Sequence, residues 1–258
     1  MPRLARKPPA AAGAPAPVAD QASGLRQLMG TAPTACTLVL LPALRSPVLA
    51  EALAERARLG AQVDGPLLII DAARAQVAVA LDQKLRYDLD HALAGDCELS
   101  DACIAAGPAL WVLPAARALD RAMADEAAAL RLGGAMAALA RGVRQVMIIV
   151  PAARAAWLNR LPEALRSAPA LIPVAHGGEA SAAVLTAVRQ GMSEAGIGTF
   201  HLLFPGMGEA AARRLLSGLA AIAQRHFGAR LLAAPPVTVV AQATAPAGAA
   251  RRSVETVF

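Results

Sequence analysis

Few side chains in this sequence stand in arrangements that could do chemistry. Arg45 and Ser46 follow a short apolar run, "ACTLVLL" (35–41), where a strand would hand over to a helix. A loop at such a place binds phosphate when glycines let backbone N–H groups crowd around it, with a lysine for charge and a hydroxyl for magnesium. The loop here, "LPALRSP", has neither glycine nor lysine, and Pro42 and Pro47 remove two amides from the cradle. Arg45 and Ser46 are left where the lysine and the hydroxyl would be. Asp71 ends the next apolar run, "PLLIID" (66–71). A carboxylate at a strand end can activate water or hold a metal through water. It can also cap the helix that follows, and capping is the favoured expectation because no phosphate loop stands beside it. Two later runs end on Val150 and Pro151 and on Pro205, without an acid or an amide.

The remaining reactive residues do not combine. His91, Cys97 and Cys103 have five residues between neighbours and form no C-x-x-C or H-x-x-x-H pair, which argues against zinc. His176, His201 and His226 recur every 25 residues, a spacing that a repeated strand–helix unit explains. Neither "GIGTF" nor "HGGEAS" offers a nucleophile with a partner base, so acyl transfer has no support. The second stretch reads instead as a loop leading into an N-capped helix.

These residues need elements to position them, and the chain supplies the pattern. Short apolar runs at 35–41, 66–71, 109–114, 145–150, 170–175 and 200–205, with 231–240 as a seventh, alternate with alanine- and arginine-rich stretches at helical length. Those stretches are 46–60, with Pro47 in the first turn and Gly60 as the stop, then 117–142, 155–167, 179–195 and 208–227. Near-continuous apolar strands separated by helices predict an α/β, doubly wound, mostly parallel sheet of about seven strands covered on both faces. Ligands of such a sheet bind at the carboxyl ends of its strands.

Composition bounds the reading. At 258 residues the chain can build one large domain. With one tyrosine, two tryptophans and four phenylalanines, its core must be made of small aliphatic side chains. The net charge of +6 comes almost wholly from scattered arginines without interleaved aromatics, which argues against direct nucleic-acid binding. Three cysteines and no apolar leader point to a reduced, cytoplasmic setting. No apolar stretch approaches the roughly 18 residues that span a bilayer. Residues 1–19 read as a disordered, weakly basic tail, 20–30 as a short ordered element, 34–240 as the domain and 241–258 as a second tail. By helix physics alone, 20–30 is a helix packed on the domain, with Asp20 as N-cap and Ala22, Leu25 and Met29 on one face.

That element, "DQASGLRQLMG", carries a resemblance. Asp20, Gln21, Ala22, Leu25 and Arg26 match the D-Q-A-x-x-L-R motif that precedes the first strand in the MinD/ParA-type family, and most closely in the flagellar number regulators of the FlhG (FleN, YlxH) type. The stretch "LRYDLDHALAGDCELSDACIAAGPALWVLPAARAL" (85–119) is similar to the family's Y-x-L-x-x-V-L-x-G segment, acidic helix and strand ending V-L-P-A. "RGVRQVMIIVPAA", "HGGEASAAVLTAVRQ", "FHLLFPGM" and "RRLLSGLAAIAQRHFGARL" follow its later elements in order.

The resemblance implies a P-loop NTPase-like fold of the deviant Walker type, and the departures from it fall together on the ATP site. "PALRS" replaces G-K-G-G-x-G-K-T, Ala73 replaces the second acid of D-A-D, Val150 the Walker B acid and Pro205 the adenine-reading asparagine. What it implies is therefore a pseudo-ATPase without a cofactor, acting by contact through the D-Q-A-x-x-L-R element on the signal-recognition-type GTPase FlhF. Arg45, Ser46 and Asp71 would be the vestige of the nucleotide site. Two alternatives stay open: a weak or altered ATPase that uses ATP and Mg through those three residues, and an antiactivator that binds a flagellar transcription regulator or sigma factor. The end of the chain, "AQATAPAGAARRSVETVF", has too few apolar positions at helical spacing for stable membrane insertion.

Overall fold

The computed structural model describes residues 35–42, 46–74, 76–141, 143–161, 163–166 and 168–237. The D-Q-A-x-x-L-R element, Arg45 and the two expected tails lie outside the described residues. The chain runs β1 (Ala35–Leu41), α1 (Pro47–Val63), β2 (Leu67–Asp71), α2 (Gln76–Ala80), α3 (Leu89–Ala94), α4 (Leu99–Ala102), β3 (Ile104–Gly107), β4 (Leu110–Pro114), α5 (Ala116–Ala124) and α6 (Glu126–Arg141). It continues through β5 (Gln145–Pro151), a 3-10 helix (Ala152–Arg160), α7 (Glu163–Arg166), β6 (Ala170–Pro173), α8 (Ala180–Ala195), β7 (Thr199–Leu203), α9 (Glu209–Phe227) and β8 (Arg230–Ala233).

The strands form one sheet in the order β3-β4-β2-β5-β1-β6-β7-β8, parallel throughout except for the antiparallel edge strand β3. Alternation along the central strands explains why both faces are covered. Leu38, Leu40, Leu68, Ile70, Val146, Ile148 and Val150 enter one core, beneath α5, α6, the 3-10 helix and α8. Val39, Leu41, Leu67, Ile69, Met147 and Ile149 enter a second, beneath α1 and α2. Both cores are aliphatic, as the shortage of aromatics requires, and Phe200 is the one aromatic among the largest fully buried side chains.

Several expected boundaries move for local reasons. The sheet has eight strands, because the alanine-rich run Ile104–Gly107 pairs antiparallel with β4 although it carries no strand signal of its own. Gly60 does not stop α1, which runs on to Val63; Gln145 Nε2 donates to the Gly60 carbonyl (3.1 Å) and the Gly65 carbonyl (3.0 Å), and Gly65 makes the turn at φ +93°. The single helix expected over 117–142 is two. Asp125 breaks it by turning its carboxylate onto the Ala127 and Ala128 amides (3.0 and 3.2 Å), which start α6. In place of one helix over 155–167 stand the 3-10 helix Ala152–Arg160, kinked at Arg154, and the short α7, Glu163–Arg166. β8 ends at Ala233 because Pro235 and Pro236 have no amide to continue the ladder.

Candidate functional site

Parallel pairing brings the carboxyl ends of β1, β2, β4, β5, β6 and β7 to one edge of the sheet. Prolines stand at most of them: Pro42, Pro114, Pro151, Pro173 and, beyond β7, Pro205. Val150 is fully buried beside Leu40, and Pro151 pairs with Leu41. β5 therefore presents no carboxylate at its end.

Asp71 is the acid at this edge, and it is wholly buried. Its Oδ1 accepts from the Ala73 amide (2.9 Å) and its Oδ2 from the Val77 amide (3.1 Å) in the first turn of α2. Burial pushes its carboxyl above the usual aspartate range; the amides of Ala73, Val77 and Ala78 oppose that shift, and the negative charge of Asp88 adds to it. Both oxygens are thus spent on holding the loop between β2 and α2. Ser46 is half-buried at the start of α1, in extended conformation (φ −138°, ψ 122°), and its hydroxyl makes no capping bond. Its carbonyl accepts from Leu49 and Ala50. Ser46 and Asp71 stand at the same edge with β5 between their strands.

A magnesium nucleotide needs a cradle of amides for phosphate and an acid free to reach the metal through water. The residues here do not fit one. The loop "PALRSP" has no glycine, the Asp71 oxygens already face backbone donors, and β5 ends in Val150 and Pro151.

The other reactive side chains serve structure. His176 Nε2 lies 2.7 Å from the Pro205 carbonyl and ties together the loops after β6 and β7. His201 sits within β7, where burial, then Arg56, lowers its pKa, and His226 lies near the end of α9 beside Phe227. The Cys36 thiol, which donates to the Leu165 carbonyl, is pushed up to about 12 by burial, and that of Cys103 to about 11. Among the described residues no three His, Cys, Asp or Glu side chains come together as metal ligands.

One constellation escaped sequence reasoning. Asp88 caps α3, accepting from the Asp90 amide (3.0 Å), and reaches across the chain to the first amides of α5, Arg117 (3.1 Å) and Ala118 (3.2 Å). His91 returns the cap, with its Nδ1 3.1 Å from the Asp88 amide and its Nε2 3.3 Å from an Arg117 Nη. The Arg86 guanidinium lies 5.0 Å from the centre of the Tyr87 ring. With Arg74, Leu85 and Pro114 these residues line a pocket of about 270 Å³ beyond the ends of β2 and β4. The D-x-x-H spacing in "LRYDLDH" is the capping-box signal that could have found half of it.

Sheet order and two-faced helical cover define the class of fold: a doubly wound, mostly parallel α/β sheet of the P-loop NTPase-like kind, shared with MinD/ParA-type structures. Among solved structures, apo McdA from Cyanothece superposes with a TM-score of 0.56 at 14% identity, over 76% of this chain and 84% of that one. Cobyrinic acid a,c-diamide synthase from Mycobacterium smegmatis, with an ATP analogue and magnesium bound, gives 0.52 at 17% identity over 78% and 84%. No protein-family model matches the chain, and no curated protein does so significantly. Among the described residues no helix is long and apolar enough to cross a membrane.

Proposed function

We propose that this chain is a non-catalytic regulator of the FlhG type, controlling flagellar biosynthesis, number and placement by protein contact. Its working element is Asp20, Gln21, Ala22, Leu25 and Arg26, and its partner is the signal-recognition-type GTPase FlhF. Arg26 and Gln21 supply polar groups of the kind that order a GTPase's own catalytic residues, as arginine fingers and positioned amides do. The α/β domain is the carrier of that element and hydrolyses no ATP. It works in the cytoplasm and reaches the cell pole or inner membrane face through its partner.

One observation carries the loss of catalysis: Asp71, the acid at the ligand edge, has both carboxylate oxygens committed to backbone amides inside the core. The fold supports the family, and the match at 20–26 supports the partner. The test adds full-length protein, or a peptide of residues 1–32, to purified FlhF and measures GTP turnover. Stimulation that disappears in Arg26→Ala is the expected result. Turnover unchanged by protein, peptide and variant alike rejects the partnership.

A further inference from the structure

His91 and Arg117 meet in the pocket beyond β2 and β4 with too many donors. The Asp88 amide can only donate, so at 3.1 Å it makes His91 Nδ1 an acceptor, and a neutral ring then carries its proton on Nε2. That Nε2–H faces an Arg117 Nη 3.3 Å away, and a guanidinium has only N–H groups to offer. In a protonated ring Nδ1–H turns to the Asp88 carbonyl (3.3 Å) and Nε2–H again faces Arg117. The remaining tautomer satisfies Arg117 but strips the Asp88 amide of its partner and opens the capping box. Two of three states therefore aim two donors into one space without an acceptor between them.

Neighbouring carboxylates do not supply it. Asp88 is spent on the amides of Asp90, Arg117 and Ala118. Asp90 pairs with Arg121, and Asp120 with both Arg74 and Arg154. Among the described residues Arg86 and Arg117 meet no carboxylate, so two of the three guanidinium groups that line the pocket are left without an acidic partner, while Arg74 shares Asp120 with Arg154.

We propose that this pocket binds the phosphate group of a small phosphorylated molecule, one phosphate oxygen accepting from His91 Nε2 and Arg117 and the others facing Arg86 and Arg74. Phosphate suits it better than a carboxylate because the donors converge from separate segments, around Arg74, Arg86 and Arg117, and need several acceptor oxygens. Tyr87, Leu85 and Pro114 give an apolar wall for the organic part. The volume of about 270 Å³ has room for a phosphate group and a small organic part. Neither Ser46 nor Asp71 lines the site, and it shares no residue with the D-Q-A-x-x-L-R element.

Calorimetry on the full chain with inorganic phosphate and with phenyl phosphate tests this. Both are expected to bind, phenyl phosphate the tighter because it also uses the apolar wall; inorganic phosphate binding the tighter assigns the site to the free ion and overturns the organic ligand. Arg117→Gln is expected to weaken binding about tenfold. Arg213→Gln, which removes the same charge from an exposed pair with Glu209 on α9, leaves it unchanged. Equal losses in the two variants, or no binding by either probe, overturn the proposal. Should Arg117→Gln fail to fold, the imidazole nitrogen resonances of His91 in the wild type decide: they shift on adding phenyl phosphate, and their staying fixed overturns the site. No arm depends on GTP turnover, so this inference and the FlhF partnership fail separately.

Discussion

Asp71 serves the fold through both of its carboxylate oxygens. Asp71→Ala would leave the Ala73 and Val77 amides unpaired in a dry environment, at a cost of about 1–3 kcal/mol for each buried donor. Urea unfolding is expected to show that loss. Its pH dependence has a definite sign. Burial raises the folded-state pKa of Asp71 above its unfolded value, so the protonated form is the one the fold prefers. The associated stability is full below about pH 4 and is lost as pH rises through the raised folded value. Wild type then loses stability across that window while Asp71→Ala does not, and the gap between them narrows with rising pH. A gap that widens instead would mean that the amides of Ala73, Val77 and Ala78 outweigh burial and hold the carboxylate ionised.

At the scale of elements, α8 lies close against the sheet at Gly191. A Cβ at Gly191 would stand 2.8 Å from Leu40 Cδ1 and from Phe200 Cε1, inside van der Waals contact on β1 and β7. Gly191→Ala is expected to destabilise by about 1–3 kcal/mol despite alanine's better helix propensity, because a close-packed core cannot yield space for the methyl. Gly218 on α9 meets nothing within 4 Å and is exposed. Gly218→Ala is expected to stabilise by about 0.5–1 kcal/mol through lower chain entropy alone. Opposite shifts of the two thermal midpoints would separate packing from propensity within one fold.

For the whole molecule the decisive quantity is nucleotide linkage. A ligand that binds only the folded state, present at a hundred times its Kd, adds about 2.7 kcal/mol to stability. Mg-ATP at millimolar concentration is expected to leave the thermal midpoint where it is, because the edge that would receive it ends in prolines and a buried aspartate whose two oxygens each accept a backbone amide. A clear upward shift would return the chain to the ATPases of this fold and give Arg45 and Ser46 a role.

The class of fold was legible in the sequence because strands buried on both faces must be apolar at nearly every position. The runs at 35–41, 66–71, 109–114, 145–150 and 200–205 became β1, β2, β4, β5 and β7 within a residue or two. The absence of glycine from "PALRSP" and of an acid at Val150 was equally plain, since each is a matter of residue type at a known place along the chain. Tertiary structure alone decided the rest. β3 is a strand only because β4 lends it a partner, and Asp125 ends a helix only by turning its side chain onto the next one's amides. The Asp88–His91–Arg117 pocket joins groups as much as 29 residues apart, and no local pattern shows which donors a folded chain will leave facing each other without an acceptor.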